Sequence, residues 1–259
     1  GFFELHETFG IFFIDKNIFF FYYLYFRELK SNKMKKILYF LIIILTSSNV
    51  FANFDSFRKI SKIEMNVVRN GKIIGHSNYY FKHKDKIMTV RNETSFKVNI
   101  MGIKIFSVVS EALEKYKDGK LVFFESNTLQ NDKKKFVNLF LENKTKKFQI
   151  NGSSYSGEAS NDHVIGNWWN NKILIANKQI SPLSGSIKEQ VVTFIGNENL
   201  IINGKTYTTQ HFVLKSKNEN LPEDKRLNFN IWYNKENNII MKVSYSRMGN
   251  WEYNLKKFE

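Results

Sequence analysis

Beyond residue 60 the apolar positions of this chain recur every second residue, in short runs separated by polar turns. That period belongs to half-buried β-strands. Residues 60–69 (ISKIEMNVVR) and 72–81 (KIIGHSNYYF) flank Asn70-Gly71, a pair suited to a two-residue hairpin turn because both positions must take positive φ. His83-Lys84-Asp85 then turns the chain into a long strand over 87–100, and strands follow over 103–110, 121–124, 136–141 and 148–150. Asp118-Gly119 makes one of the intervening turns, and Asn131-Asp132 with the run Lys133-Lys134-Lys135 makes another. Later strands are expected over 187–195, 200–202, 206–214, 227–233, 239–246 and 251–258, with Asn203-Gly204 repeating the hairpin signal. Residues 111–117 and 161–171 are the stretches expected to hold short helices. Pro182 and Pro222 both fall in loops. Turns spaced by about 8–14 residues, with no linker between them, predict a mainly β fold. Its expected form is a single antiparallel, strongly curved sheet, a half-barrel or a barrel, with one or two short helices.

The first 52 residues follow a different pattern. Residues 1–33 are rich in Phe, Tyr, Ile, Lys, Asn and Glu, types that AT-rich DNA encodes. Asp15, Lys16, Asn17, Arg27 and Glu28 interrupt the apolar stretch, which falls short of the roughly 20 residues a spanning helix needs. This segment is expected to be a mis-extended or non-native start, outside the fold. From Met34 the pattern becomes regular. Lys35 and Lys36 precede an apolar core over 37–45, then Thr46 to Asn49 are polar, and Val50-Phe51-Ala52 ends in small residues at the −3 and −1 positions. A basic start, a short apolar core and such an ending describe a signal peptide over 34–52, cleaved between Ala52 and Asn53. The expected product is a single periplasmic domain over 53–259. With no cysteine anywhere, the chain lacks a lipid-attachment thiol and disulfides, so a hydrophobic core must stabilise that domain.

Charge changes this picture little. The chain holds 39 Lys+Arg against 24 Asp+Glu, a net +15. Such a surplus ordinarily suggests nucleic acid. Export argues against that partner, and so does the scatter of lysines along strands and turns, with 133–135 the one triple. The expected partners are an apolar small ligand and a weak contact with an anionic envelope surface, with no nucleic acid.

Several spaced elements carry a family resemblance. They are Ile63 to Gly75 (IEMNVVRNGKIIG), Asp118-Gly119-Lys120-Leu121, Glu125 to Thr128, Trp168-Trp169-Asn170, Ser181 to Gly185, Ile231-Trp232-Tyr233-Asn234 and Trp251 to Leu255. In this order the chain resembles a domain-of-unknown-function family of exported, β-rich proteobacterial proteins, with G-x-x-I-G, W-N and W-Y elements. The resemblance implies the address and the fold, and it supplies no catalytic residue.

Candidate chemistry is sparse. Asn161-Asp162-His163 and Trp168-Trp169-Asn170 form the most site-like stretch, in a loop or short helix where binding residues tend to lie. Two Trp rings suit stacking on a sugar or capping an apolar pocket, or they close one end of the core. His163, Trp168, Trp169, Asn170 and, from the tail, Trp232 are therefore the candidate ligand-binding residues. Histidines 76, 83, 163 and 211 show no metal-ligand spacing. Ser184-Gly185-Ser186 lacks the context of a nucleophile elbow. Glu111, Glu114, Glu125 and Glu158 read as ordinary solvated carboxylates. No catalytic residue, metal site or cofactor is expected. The leading expectation is an exported, non-enzymatic binder of a lipid-like or apolar ligand, held in a curved sheet that encloses a cavity. The alternatives are a small outer-membrane barrel and an enzyme acting on envelope glycan or lipid, centred on His163 and the Trp pair.

Overall fold

The computed structural model describes residue 57 and residues 59–259, so both N-terminal segments and the expected Ala52/Asn53 cleavage site lie outside the described residues. The first half of the fold is an antiparallel meander: β1 (Lys62–Arg69), β2 (Lys72–Lys84), β3 (Ile87–Ile100), β4 (Ile103–Lys117), β5 (Lys120–Gln130), β6 (Lys133–Leu141), β7 (Lys147–Gly152) and β8 (Tyr155–Ser160). The second half is β9 (Val164–Ile165), β10 (Lys178–Ile180), β11 (Ile187–Ile202), β12 (Lys205–Ser216), β13 (Asn228–Asn234), β14 (Ile239–Ser246) and β15 (Asn250–Phe258). Together they form one curved, unclosed sheet in the order β8-β7-β6-β5-β4-β3-β2-β1-β15-β14-β13-β12-β11-β10-β9. Every neighbouring pair is antiparallel except β9 with β10. The two edges, β8 and β9, are consecutive in the chain and joined by only residues 161–163. Ser154 N donates to the Ser184 carbonyl at 2.9 Å across the gap, so loops rather than a ladder bridge the seam.

The turns follow from their residue types. Asn70, Asp118 and Asn203 have φ near +50°, and Gly71, Gly119 and Gly204 follow them at +74° to +77°. Positive φ at both central positions gives the turn twist that matches paired strands.

Both expected helices are corrected. Residues 111–117 are the second half of β4, because Ala112, Glu114 and Tyr116 alternate inward while Glu111, Lys115 and Lys117 are exposed. Residues 161–170 hold no helix, Asn171 opens a 3-10 turn (Asn171–Leu174), and helical structure among the described residues is confined to such turns. Two further boundaries moved. The lysine triple opens β6 rather than forming a turn, and 187–202 is one strand with a bulge at Phe194/Gly196. The polar run Asn197 to Asn199, which reads along the sequence as a break, stays in register with Gln210 to Thr208 just past that bulge.

Gly75 stands where the backbone leaves no room for a side chain. It pairs with Phe96, and a Cβ there would overlap the Ser95 carbonyl oxygen and stand 2.5 Å from Phe96 Cα. Backbone, unlike a flexible side chain, cannot move aside. Gly75→Ala is expected to destabilise the fold by about 2–4 kcal/mol, measured by urea unfolding, through strain at the β2–β3 ladder. An unchanged midpoint would mean the two strands have room to part.

The inner face of the sheet holds the core. Ile63, Met65, Val90, Phe124, Val137, Leu139 and Phe148 are buried there, and a second cluster surrounds Leu214, Ile231, Ile240 and Val243. A third cluster, with Phe96, Val98, Val108 and Trp251, lies toward the end that carries the 70–71 and 101–102 turns.

Candidate functional site

Between β9 and β10 the chain leaves the sheet and crosses its inner face as a strap over residues 166–177. Its ends are fastened by backbone bonds, Gly166 N to the Ile180 carbonyl at 2.9 Å and Gln190 N to the Asn177 carbonyl at 2.8 Å. Gln190 Nε2 also donates to the carbonyls of Ile173 and Ala176, both at 2.9 Å. Asn170 caps the 3-10 turn by accepting from Lys172 N, and Lys172 Nζ reaches the Gly119 carbonyl at the far end of the sheet.

In the first part of the strap, Asn167 to Asn170, neighbouring side chains diverge. Trp169 is 1% exposed and turns into the core, edge-on to Phe57, Phe81 and Tyr116 at centroid distances of 5.3, 5.3 and 5.5 Å. Trp168 is half-buried and turns the other way, packing on Phe229 at 5.0 Å and Tyr253 at 6.2 Å. The pair thus splits: Trp169 closes one end of the core, and Trp168 faces an open space.

That space is a cleft of about 720 Å³. Strands β2 to β4 contribute small polar side chains to it, Ser77, Asn92, Thr94 and Ser110. These are held among themselves and by a neighbour, with Ser77 Oγ and Thr94 Oγ1 at 2.7 Å and Ser110 Oγ and Thr128 Oγ1 at 2.6 Å. The strap and β13 to β15 contribute aromatic rings, Trp168, Phe229, Tyr245 and Tyr253. Phe96, Phe106 and Val108 add an apolar patch, and charges of both signs stand at the outer end, Lys215, Arg226 and Arg247 with Glu219, Glu223 and Asp224. The cleft is therefore amphipathic, with aromatic rings and hydroxyl and amide groups side by side in its walls.

Glu114 also lines the cleft, 2% exposed. Its Oε1 accepts from Asn167 Nδ2 at 2.8 Å and from Trp169 Nε1 at 2.9 Å, and its Oε2 accepts from Tyr116 Oη at 2.5 Å. Burial pushes its carboxyl up to about 7, against the pull of these three donors, which favour the charged form. Burial likewise raises Tyr79, whose hydroxyl accepts from Trp168 N at 3.4 Å, to about 12. The expectation of a solvated Glu114 is corrected. This buried carboxyl fastens the strap to β4 on both sides of Trp168. Glu111 is exposed, as expected of it, and Glu158 pairs at the surface with Lys147 at 2.7 Å.

The other candidates are dispersed. His163 sits in the seam, where its Nδ1 meets Asp162 Oδ1 at 2.7 Å, and it does not line the cleft. Asp162 is held low by hydrogen bonding from Ser160 and His163. Asn170 is buried beneath the strap, its Nδ2 donating to Tyr116 Oη at 3.4 Å. Trp232 lies on the sheet face opposite Ile231, stacked on His211 at 4.5 Å, with its Nε1 donating to Glu198 Oε2 at 2.7 Å. Among the described residues no group of three or more His, Cys, Asp or Glu is placed to hold a metal ion. Of the five candidates only Trp168 lines the cleft. Along the sequence Glu114 looks solvated because its neighbours Glu111, Lys115 and Lys117 are charged and exposed. The available signal was its place between Ala112 and Tyr116 in a period-two pattern, which puts it on the inner face.

Residues 65–256 match the family model described as "Domain of unknown function (DUF6134)". No curated protein matches the chain. A crystal structure of a β-barrel-like protein of domain of unknown function DUF1849 from Brucella abortus is similar, with a TM-score of 0.53 and 9% identity. The likeness covers 77% of this chain and 97% of that one, and at such identity it speaks to the fold alone.

Proposed function

The chain belongs to the DUF6134 family, whose description names no activity, and from that premise we propose that it is an exported, non-catalytic carrier or receptor for an amphipathic, lipid-like ligand. One observation carries the reading: a cleft of about 720 Å³ whose walls combine aromatic rings with hydroxyl and amide groups. A site of that size suits a small molecule, and a few polar groups among apolar ones fix its orientation. The apolar part of the ligand packs on Trp168, Phe229 and Tyr253, and its polar part meets Ser77, Asn92, Thr94 and Ser110. The sequence of residues 34–52 supports export to the periplasm.

The other readings have less support. An outer-membrane barrel requires a closed sheet with a lipid-facing apolar band, whereas this sheet is unclosed and Arg91, Glu111 and Lys115 are exposed in mid-strand. For an envelope enzyme, His163 stands apart from the cleft and all of Glu114's donors belong to its own strap and strand.

The test is native mass spectrometry on protein isolated from its own cells, with apolar-dye titration beside it. A bound acyl-type species, displaced by the dye, is the expected result; protein that is repeatedly empty and takes up no dye would sink the proposal. Trp168→Ala is expected to weaken dye affinity roughly tenfold or more by removing a ring from the wall. Its cost in stability should be well below that of Trp169→Ala, because Trp168 is only half-buried and Trp169 is 1% exposed.

A further inference from the structure

The turns at one end of the sheet differ from those at the other. The β3–β4 hairpin overhangs both neighbours: β2 pairs with β3 no further than Phe96, and β5 pairs with β4 no further than Val108. Its tip is apolar and solvent-facing, with Ile100 48%, Met101 98%, Ile103 65% and Ile105 48% exposed. The β1–β2 turn lies at the same end and is followed by Ile73, 67% exposed. Beside it is the β14–β15 turn with Met248, 87% exposed, tied in place by Arg69 Nη2 donating to the Met248 carbonyl at 2.5 Å. Three separate hairpins thus present large apolar side chains along one rim, where a folded protein ordinarily shows Asn, Gly and charge.

The same rim is basic. Lys72, Lys97, Lys104, Lys133, Lys134 and Arg247 lie on these hairpins and on the adjoining β5–β6 turn. Asp132 on the β5–β6 turn is paired with Lys104 at 3.3 Å, and the carboxylates Glu219, Glu223 and Asp224 are set apart on the β12–β13 loop, beside Lys225 and Arg226. Apolar tips ringed by cations match the two layers of an anionic membrane surface, with side chains entering the acyl boundary and ammonium groups meeting phosphates. The cleft opens on this rim as well, since Phe96, Phe106 and Arg247 line it.

We propose that the rim formed by the β1–β2, β3–β4 and β14–β15 hairpins docks on an anionic phospholipid surface, so that the cleft faces the bilayer from which its ligand enters. The docking rests on the lipid-like reading of the cleft for its purpose, though not for its geometry. Tips that dip into the headgroup region fix the orientation, and cations on several hairpins supply attraction that salt screens.

The experiment is vesicle co-sedimentation of the protein as its cell leaves it, with wild type and variants prepared identically. Vesicles of phosphatidylcholine alone are compared with vesicles containing phosphatidylglycerol. Wild type is expected to bind the anionic vesicles and to leave them at high salt. The pair Met101→Ser and Met248→Ser should bind roughly tenfold more weakly, and the pair Lys97→Glu and Lys134→Glu should lose the preference for phosphatidylglycerol. Both pairs alter exposed side chains, so melting temperatures should not move. Equal binding by wild type and both variants, equal binding to the two vesicle types, or no binding overturns the proposal. So does capture of a protein partner by the same rim without vesicle binding. Apolar-dye uptake, measured without vesicles, separates the two readings: dye uptake without docking leaves the cleft reading standing, and docking without uptake leaves only the rim.

Discussion

Replacing Glu114 with alanine is expected to lower the unfolding free energy by about 2–5 kcal/mol at pH 5, a fall of roughly 10 °C in melting temperature. The loss comes from what remains. Trp169 Nε1, Asn167 Nδ2 and Tyr116 Oη all point at the carboxyl, and without it three buried donors have no acceptor there. Glu114→Gln keeps the shape and retains an acceptor for the first two donors, so its cost at pH 5 should be much smaller. The glutamine also isolates the effect of charge. Because burial raises the folded carboxyl from 4.5 to about 7, its stabilising contribution is fully present below 4.5 and is lost as pH rises through 7. A shift of that size corresponds to on the order of 3 kcal/mol. The stability of Glu114→Gln relative to wild type should therefore climb between pH 4.5 and 7 and level off above. Subtracting the two curves removes the opposite slopes of Glu64, Glu189 and Glu198, which their partners hold low. A flat difference curve would mean that water reaches the carboxyl.

Trp169→Ala should cost about 3–5 kcal/mol, because it empties a volume enclosed by Phe57, Phe81 and Tyr116 that these rings cannot refill by small shifts. It also removes one of Glu114's donors, so this variant and Glu114→Ala should be non-additive, the double mutant losing less than both single losses combined. Chemical unfolding of the four proteins closes the cycle. Full additivity would show that the ring acts through packing alone.

The contrast between these neighbours explains what the sequence could disclose. The strands were legible because each carries its own period and its own turn, and Asn70-Gly71, Asp118-Gly119 and Asn203-Gly204 required only local chemistry. Strand ends were harder to read. Residues 125–130 and 133–135 lack the apolar density of 121–124 and 136–141, yet the neighbouring ladders extend pairing through them. The 111–117 segment misled because its charged residues favour a helix in isolation, whereas β3 and β5 on either side hold it extended. Trp168-Trp169 was visible as a pair, but its division between cleft and core depends on where the strap crosses the sheet. Trp232 has the same residue type and a different fate, set by the face on which the β12–β13 register places it beside His211. The hydroxyls at Ser77, Asn92, Thr94 and Ser110 stand on three strands, and nothing along the chain announces that they share a wall.

The strand order has a consequence for how the molecule is made. Every strand can zip onto a partner next to it in the chain, β1 onto β2 included, but the second flank of β1 waits for β15, nearly two hundred residues later. A growing polypeptide would therefore hold two ribbons of hairpins, each with a raw flank where Ile63, Met65 and Tyr253 will eventually meet, until β15 arrives to suture them. Closing so large a loop late should make that step the slow one in refolding. A nascent chain stalled before residue 250 would be the species most prone to pair with a stranger.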